Sequence, residues 1–327
     1  MAVVRLASRL VSDERVPLLL GLALLAIGLL LNLSRIRRWA ADRRARRLDQ
    51  RLRQLLDRGL DAEAATLMLA EIDRLRRSAA TDADRSRLAT ILRMCAHLYH
   101  RDGRLDEARP LAEESVAVAR PVADRHPGHA AWPLVILGQV LADQRDDHGA
   151  GQRLREAYED VRADPSNDPE SDALRVLVAA NYTMVLRRLG DCATAIAVAQ
   201  WGVGVDGRLA AGSLPPFTRA SAGWLHAALA LARTDAGQDG RPDAQTAAEI
   251  WRGLLDLGVY GEHESEGMGY ADFAVAYALR PFDAVAAEQA ARRAAARFER
   301  LAVAAPARLA RRQAEVEALL GAMAAAR

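Results

Sequence analysis

The chain has 327 residues, of which 51% are hydrophobic and 5% aromatic, and its 45 basic residues almost balance 43 acidic ones. A formal net charge of +2 argues against a dedicated nucleic-acid-binding protein, which would carry a basic excess across its fold. The hydrophobic share is mostly Ala and Leu, which favour helices, and strand-like runs of β-branched and aromatic residues are missing. The composition therefore predicts an all-α protein, with no nucleic acid among its partners.

The first notable segment is an uncharged apolar stretch, Val16–Leu33, which follows a short polar-mixed segment at 1–15. As a helix, its eighteen residues would span about 27 Å, which nearly matches a hydrocarbon core of about 30 Å. A cleaved signal peptide would have a shorter apolar region followed by small residues, whereas arginines follow here. The sequence therefore predicts a transmembrane helix at 16–34.

An arginine-rich juxtamembrane segment, 35–47, comes next. It carries more arginines than residues 1–15, and positive charge favours the cytoplasmic side of a membrane. The expected localisation is the cell membrane, with a single pass and a cytoplasmic C-terminal domain. These arginines could also contact anionic lipid headgroups, and the alternative is a solvated helix face.

A repeated spacing organises the following part of the chain. Two short amphipathic segments, Leu134–Asp143 and His148–Val161, are joined by a polar bend, and each has one apolar stripe. Four residues of this unit define a template with offsets of 3, 7 and 12 residues from the first: Gly138, Leu141, Arg145 and Ala150. The same offsets recur, at intervals of 42 to 45 residues, in the sets Leu52, Leu55, Gly59, Ala64; Ala96, Tyr99, Gly103, Ala108; and Thr183, Leu186, Gly190, Ala195. The template predicts helix pairs at 44–57/61–77, 87–101/105–119, 133–143/148–162 and 173–189/192–204.

This pattern resembles the tetratricopeptide repeat in its long-period form of about 42 residues, most clearly in LYHRDGRLDEARPLAEESVAVAR and VLRRLGDCATAIAVAQ. The resemblance implies a right-handed α-solenoid of helix-turn-helix repeats over 48–204. The sequence departs from the pattern at Arg145, where Gly is usual. It also departs at the aromatic position of the second helix, which is Ala112, Leu154 or Ala199 here.

The sequence predicts divergent helical repeats for residues 205–327, ending in a C-terminal capping helix. A fifth pair is expected at Thr218–Thr234 and Ala244–Leu257, followed by a flexible loop at Gly258–Gly269. A sixth pair is expected at Tyr270–Leu279 and Asp283–Ala304, with Asp283 as helix N-cap. The last helix, about Pro306–Met323, is expected to cap the open end of the array.

No catalytic, cofactor-binding or metal-binding motif is present in the sequence. The cluster Glu262–Glu266 contains His263, but consecutive residues in a Gly-flanked loop do not converge on a metal, so a solvated loop is favoured. Cys95 and Cys192 occur singly and are expected to be packed thiols in a reducing compartment.

The resemblance also implies a binding surface, because the first helices of tetratricopeptide repeats line a concave channel. The positions that match it are Arg93, His97, His100, Arg101, Gln139, Asp143, Met184, Arg187 and Arg188. This set is basic overall and would suit an extended acidic segment or a terminal carboxylate. The alternative is a solvated helix face in an arginine-rich protein.

The sequence thus predicts a membrane-tethered cytoplasmic adaptor or scaffold that binds a protein or peptide and has no catalytic activity. One alternative is a regulatory or sensor module that controls a partner enzyme. A less favoured alternative is a helical enzyme without a recognisable motif.

Overall fold

The structure is a computed structural model that describes residues 43–78, 81–125, 128–166, 168–209, 216–257 and 262–326. Within these ranges the chain forms thirteen α-helices and no strand, which confirms the predicted all-α class for this part of the chain. In chain order the helices are α1 (43–57), α2 (Asp61–Ser78), α3 (Asp82–Arg101), α4 (Leu105–Ala123), α5 (Ala131–Asp143), α6 (Asp147–Ala163), α7 (Pro169–Arg188), α8 (Cys192–Leu209), α9 (Pro216–Asp235), α10 (Arg241–Asp256), α11 (Glu262–Leu279), α12 (Ala284–Ala302) and α13 (Pro306–Ala325).

The predicted single-pass membrane localisation has to be corrected. None of the helices in the described ranges combines the length and the apolar character that crossing a bilayer requires. The segment 16–34, on which the prediction rested, lies outside the described residues, as do 1–15 and the first part of 35–47.

The chain divides into two compact units, Met1–Leu67 and Met68–Arg327. In the first unit the structure describes α1, a turn at Gly59 and the start of α2. Gly59 has a φ of 70°, and the backbone N–H of Leu60 donates to the carbonyl of Leu55 at 2.9 Å. This turn is the one that the repeat template predicts after α1.

The second unit is an array of helix hairpins. Helix α3 packs on α4, α5 on α6, α7 on α8, α9 on α10 and α11 on α12. The first helices of neighbouring hairpins also pack on one another, so that α3, α5, α7, α9 and α11 form one continuous layer. We call the surface of this layer that faces away from the second helices the inner face.

The hairpin turns repeat one backbone geometry. Gly103, Arg145, Gly190 and Gly237 have φ values of 75°, 65°, 82° and 71°, at equivalent positions of four successive hairpins. In each turn the next residue donates its N–H to the carbonyl five positions earlier, at 2.8 to 3.0 Å. This closure satisfies a carbonyl that the helix end would leave unpaired. The structure therefore confirms the repeat template, including the departure at Arg145.

Small residues set the distance between paired helices, as the sequence predicted for Gly138. A β-carbon at Gly138 would lie 2.6 Å from Cγ of Leu154, so only glycine permits the observed approach of α5 and α6. Ala150 and Ala157 on α6 are fully buried in the same hairpin. Close approach of this kind lets short helices bury their apolar stripes in one another.

The structure confirms the predicted fifth hairpin, which is formed by α9 and α10. It also confirms Asp283 as a helix N-cap, because its side chain accepts the N–H of Ala286 at 3.0 Å. The expected flexible loop at Gly258–Gly269 is wrong from Glu262 onward, because α11 begins there. The acidic residues at its start favour a helix N-terminus, and Glu266 is buried with its charge balanced by arginines of α13.

Arg145 provides a test of the turn geometry. A non-glycine residue at φ 65° is strained, so we expect Arg145→Gly to raise the free energy of unfolding by about 0.5–1 kcal/mol. At the equivalent turn, where a β-carbon would meet no atom, Gly190→Ala should lower it by about 1 kcal/mol. Denaturant unfolding of both variants measures the two effects. A loss of stability in Arg145→Gly would contradict the account.

Candidate functional site

A cavity of 230 Å³ lies between the inner face and the C-terminal helix α13. Six of the nine residues predicted for the binding groove line it: His97, His100, Gln139, Asp143, Met184 and Arg188. The remaining three, Arg93, Arg101 and Arg187, do not. The structure thus brings most of the predicted set together, while its role in binding a peptide stays a prediction.

The three predicted residues outside the cavity have other positions. Arg93 lies 4.9 Å from the ring of Trp132, and burial lowers its pKa to about 10. Arg101 is the last residue of α3 and is half-buried. Arg187 donates from Nε to Asp235 at 2.6 Å and lies 5.3 Å from the ring of Tyr277.

The predicted basic character of the face is largely neutralised within the chain. Besides the pair of Arg187 with Asp235, Nε of Arg188 lies 3.4 Å from a carboxylate oxygen of Glu315 on α13. Asp147, at the start of α6, is bound by a third arginine, Arg311 of α13. Two arginines of the predicted set, Arg187 and Arg188, thus face carboxylates of the same chain.

His100 and Asp143 form a buried pair within the cavity wall, with Nε2 of His100 2.8 Å from Oδ2 of Asp143. Burial disfavours the charged carboxylate, but the hydrogen bond from His100 and the charges of Arg312 and Arg188 outweigh it. They hold the pKa of Asp143 below its ordinary value. Asp143 is thus an anion that accepts from His100 and faces two arginines.

A second polar contact joins the next two helices of the inner face. The side-chain amide of Gln139 donates to Oδ1 of Asn181 at 2.9 Å, and the amide of Asn181 donates to the carbonyl of Leu177 at 2.8 Å. These bonds fix the side chains of α5 and α7 at the cavity wall, 42 positions apart in sequence.

Helix α13 carries three arginines that contact the array, Arg308, Arg311 and Arg312, and the first and last of them line the cavity. Arg308 and Arg312 each lie 2.6 Å from Glu266 of α11. Arg311 donates to both carboxylate oxygens of Asp147 and, at 2.7 Å, to the carbonyl of Ala142 at the end of α5. Bidentate pairs of this kind fix orientation as well as distance. Helix α13 was expected to cap the array, and these contacts extend across the inner face as far as α5.

Aromatic side chains form the part of the cavity wall next to Arg312. The rings of Trp224 and Trp251 pack edge to face with centroids 5.7 Å apart, and the guanidinium of Arg312 lies 4.9 Å from the Trp224 ring. Trp251 is held between two glycines, because a β-carbon on Gly223 or Gly267 would come within 2.6 Å or 2.2 Å of its indole.

Sequence reasoning missed these residues and the arginines of α13. The available signal was a large aromatic residue on α10, together with glycines inside the helical segments on either side of it. Glycine within a helix is costly unless close packing requires it. The arginines gave no comparable signal, since the chain uses arginine as its only strong base.

Among the residues that the structure describes, no group of three or more His, Cys, Asp or Glu side chains is placed to hold a metal. Of the suspected cluster Glu262–Glu266, the side chain of Glu266 is described and it is buried in ion pairs, not solvated. Cys95 and Cys192 form no disulfide, and burial raises the pKa of the Cys95 thiol to about 11.

No family model and no curated protein matches the chain. Solved structures that are similar to it include tetratricopeptide-like repeats of a kinesin light chain from Podosopora anserina, with 19% identity over 67% of this chain and 98% of that one, at a TM-score of 0.45. BtubC from P. vanneervenii has 15% identity over 67% and 89%, at 0.43. A tetratricopeptide repeat protein from Parabacteroides merdae has 12% identity over 84% and 97%, at 0.37. Similarity at this level does not indicate what the chain binds.

Glu266 offers a test of the contact between α13 and the inner face. Glu266→Ala would leave two buried arginines without their carboxylate, and we expect it to lower the free energy of unfolding by about 3–5 kcal/mol.

Denaturant unfolding measures the loss. The control is Glu113→Ala, which removes an exposed pair with Arg109 and should cost less than about 1 kcal/mol. Equal losses in the two variants would show that Glu266 is not the buried partner of α13.

Proposed function

We propose that the chain is a protein-binding helical-repeat scaffold without catalytic activity, whose inner face accepts an amphipathic helix that carries arginines. The carrying observation is the contact of Arg311 with Ala142 and Asp147, which are 169 and 164 positions away in sequence. Through this contact the chain's own last helix occupies the inner face.

The character of α13 supports this choice of partner. Leu309, Val316, Leu319 and Met323 are buried, while Arg308, Arg311 and Arg312 meet carboxylates of α6 and α11. Glu315 adds the opposite charge next to Arg188. The charged residues of α13 thus meet opposite charges of the array, while Val316, Leu319 and Met323 lie in the hydrophobic core that α9 to α12 form. Helix-in-groove recognition uses the same combination of apolar anchors and flanking charges.

These contacts favour a helical partner over the extended acidic segment that the sequence suggested. An acidic segment would have to face Asp143, Asp147 and Glu266, and like charges at close range are unfavourable. A partner helix with arginines spaced as in α13 would instead replace one set of ion pairs by an equivalent one.

Because α13 already occupies the site, a partner has to compete with it for binding. A tethered helix competes at an effective concentration that reaches the millimolar range for short linkers, so a free partner has to displace it. This competition favours a regulated scaffold, which combines the adaptor and the regulatory interpretation of the sequence.

A peptide with the sequence of residues 304–326 tests the proposal. In the full chain, Arg311→Glu combined with Arg312→Glu should weaken the docking of α13. The side chains at both positions are then negative and repel Asp147 and Glu266. We expect this variant to bind the labelled wild-type peptide at least about tenfold more tightly than the wild-type chain does, by fluorescence anisotropy.

The control is Arg292→Glu combined with Arg300→Glu, which makes the same charge change on the exposed side of α12 and should leave peptide binding at the wild-type level. Adding Asp147→Arg to the first variant should abolish the gain. Peptide affinity that is equal in all four chains, each shown to be helical by circular dichroism, would refute an inner-face helix site.

A further inference from the structure

The cavity under α13 has more hydrogen-bond donors than acceptors. Trp251 is 2% exposed and lines the cavity, and its Nε1–H has no acceptor among the described residues. Nε of Arg308 and Nε of Arg312 likewise have no hydrogen-bond partner there. A buried donor without an acceptor is costly, so such groups call for an explanation.

The two carboxylates at the cavity wall are already engaged. Asp143 accepts from His100, and Glu266 is shared by Arg308 and Arg312. Three arginines face the cavity against these two carboxylates, because Arg188 also lines it. Arg188 also meets Glu315 outside the lining, so the cavity lacks acceptors for its buried donors, and a bound carboxylate would supply them.

Apolar and aromatic residues form much of the rest of the wall. Phe217, Trp224 and Trp251 line the cavity together with aliphatic residues of α6 and α7. Its volume of 230 Å³ is many times the roughly 10–15 Å³ that a single water needs. An apolar enclosure with a few convergent polar groups is typical of small-molecule sites.

We propose that this cavity binds a small aromatic carboxylate, with its ring among Phe217, Trp224 and Trp251 and its carboxylate at Trp251 Nε1 and the guanidinium of Arg312. Both donors adjoin Trp224: the Trp251 ring is 5.7 Å from it and the Arg312 guanidinium 4.9 Å. Both donors therefore belong to the same part of the cavity wall as the Trp224 ring.

The ligand site includes α13, because Arg308 and Arg312 line it. A bound carboxylate would add its negative charge to that of Glu266 and hold α13 on the inner face. This inference does not require a protein partner, and it stands or falls separately from the proposed function.

Thermal unfolding of the full chain with benzoate, 1-naphthoate and indole-3-acetate tests the site, each acid beside its uncharged amide. At a concentration about 100 times its Kd, at least one acid should raise Tm by about 3–6 °C, and its amide by less than a third of that. For benzoate, which does not fluoresce in the tryptophan range, quenching of tryptophan fluorescence gives the Kd independently, since Trp224 and Trp251 line the cavity.

Two variants locate the binding. Arg312→Gln should weaken the acid at least about tenfold, and Ala220→Phe, which fills the cavity, should abolish binding without lowering the Tm of the free chain. Arg292→Gln is the control, because it removes an exposed arginine of α12 that does not line the cavity. Its Kd should stay within about twofold of wild type.

Three results would overturn the proposal. In the first, no acid of the panel changes Tm or fluorescence, so that water alone fills the cavity. In the second, acid and amide bind equally. In the third, Arg312→Gln and Arg292→Gln have the same affinity.

Discussion

The ion pairs between α13 and the inner face are the constraint on which the second unit depends. Arg308 and Arg312 share Glu266, and Arg311 binds Asp147 in bidentate fashion. Buried pairs contribute little net stability compared with apolar packing, but removal of one partner is costly because a charge is left without compensation. Their main effect is specificity, since only one position of α13 satisfies all three arginines together. The same helix thereby decides what the inner face exposes, what a partner must displace and what the cavity contains.

The hairpins were predictable because each depends on residues close in sequence. Gly103, Gly190 and the small residue Gly138 fix turns and helix approach within a single repeat, and their spacing is visible in the sequence alone. Arg145 was recognised as a departure, and it adopts the same left-handed turn. The start of α11 was missed for the opposite reason. Glu266 looks solvated in the sequence, and the arginines that allow its burial lie 42 and 46 positions later.

The proximity of most residues in the predicted groove followed from the repeat template, whereas their charge partners did not. The template placed His97, Gln139 and Arg188 on one face, which the structure brings together around a cavity. It could not reveal that Asp235 and Glu315 neutralise this face, because these partners lie 48 and more than 120 positions from the arginines they meet. The contacts of α13 could not be predicted from its composition either, because a charged terminal helix is expected to be solvated. Long-range electrostatic pairing leaves no local pattern in one sequence.

A disulfide between the turn at Gly103 and Ala305 tests the position of α13 directly. A β-carbon at Gly103 would lie 3.4 Å from Cβ of Ala305, just before α13, which is close to the separation found in disulfides. In a chain with Cys95→Ala and Cys192→Ala, the pair Gly103→Cys and Ala305→Cys should form a disulfide under mild oxidation. The pair Gly190→Cys and Ala305→Cys should not, because Gly190 has no atom near its β-carbon position. Mass spectrometry of the digested chain reads the cross-link. A disulfide at 103 and 305 that forms no faster than the control would contradict the placement of α13 on the inner face.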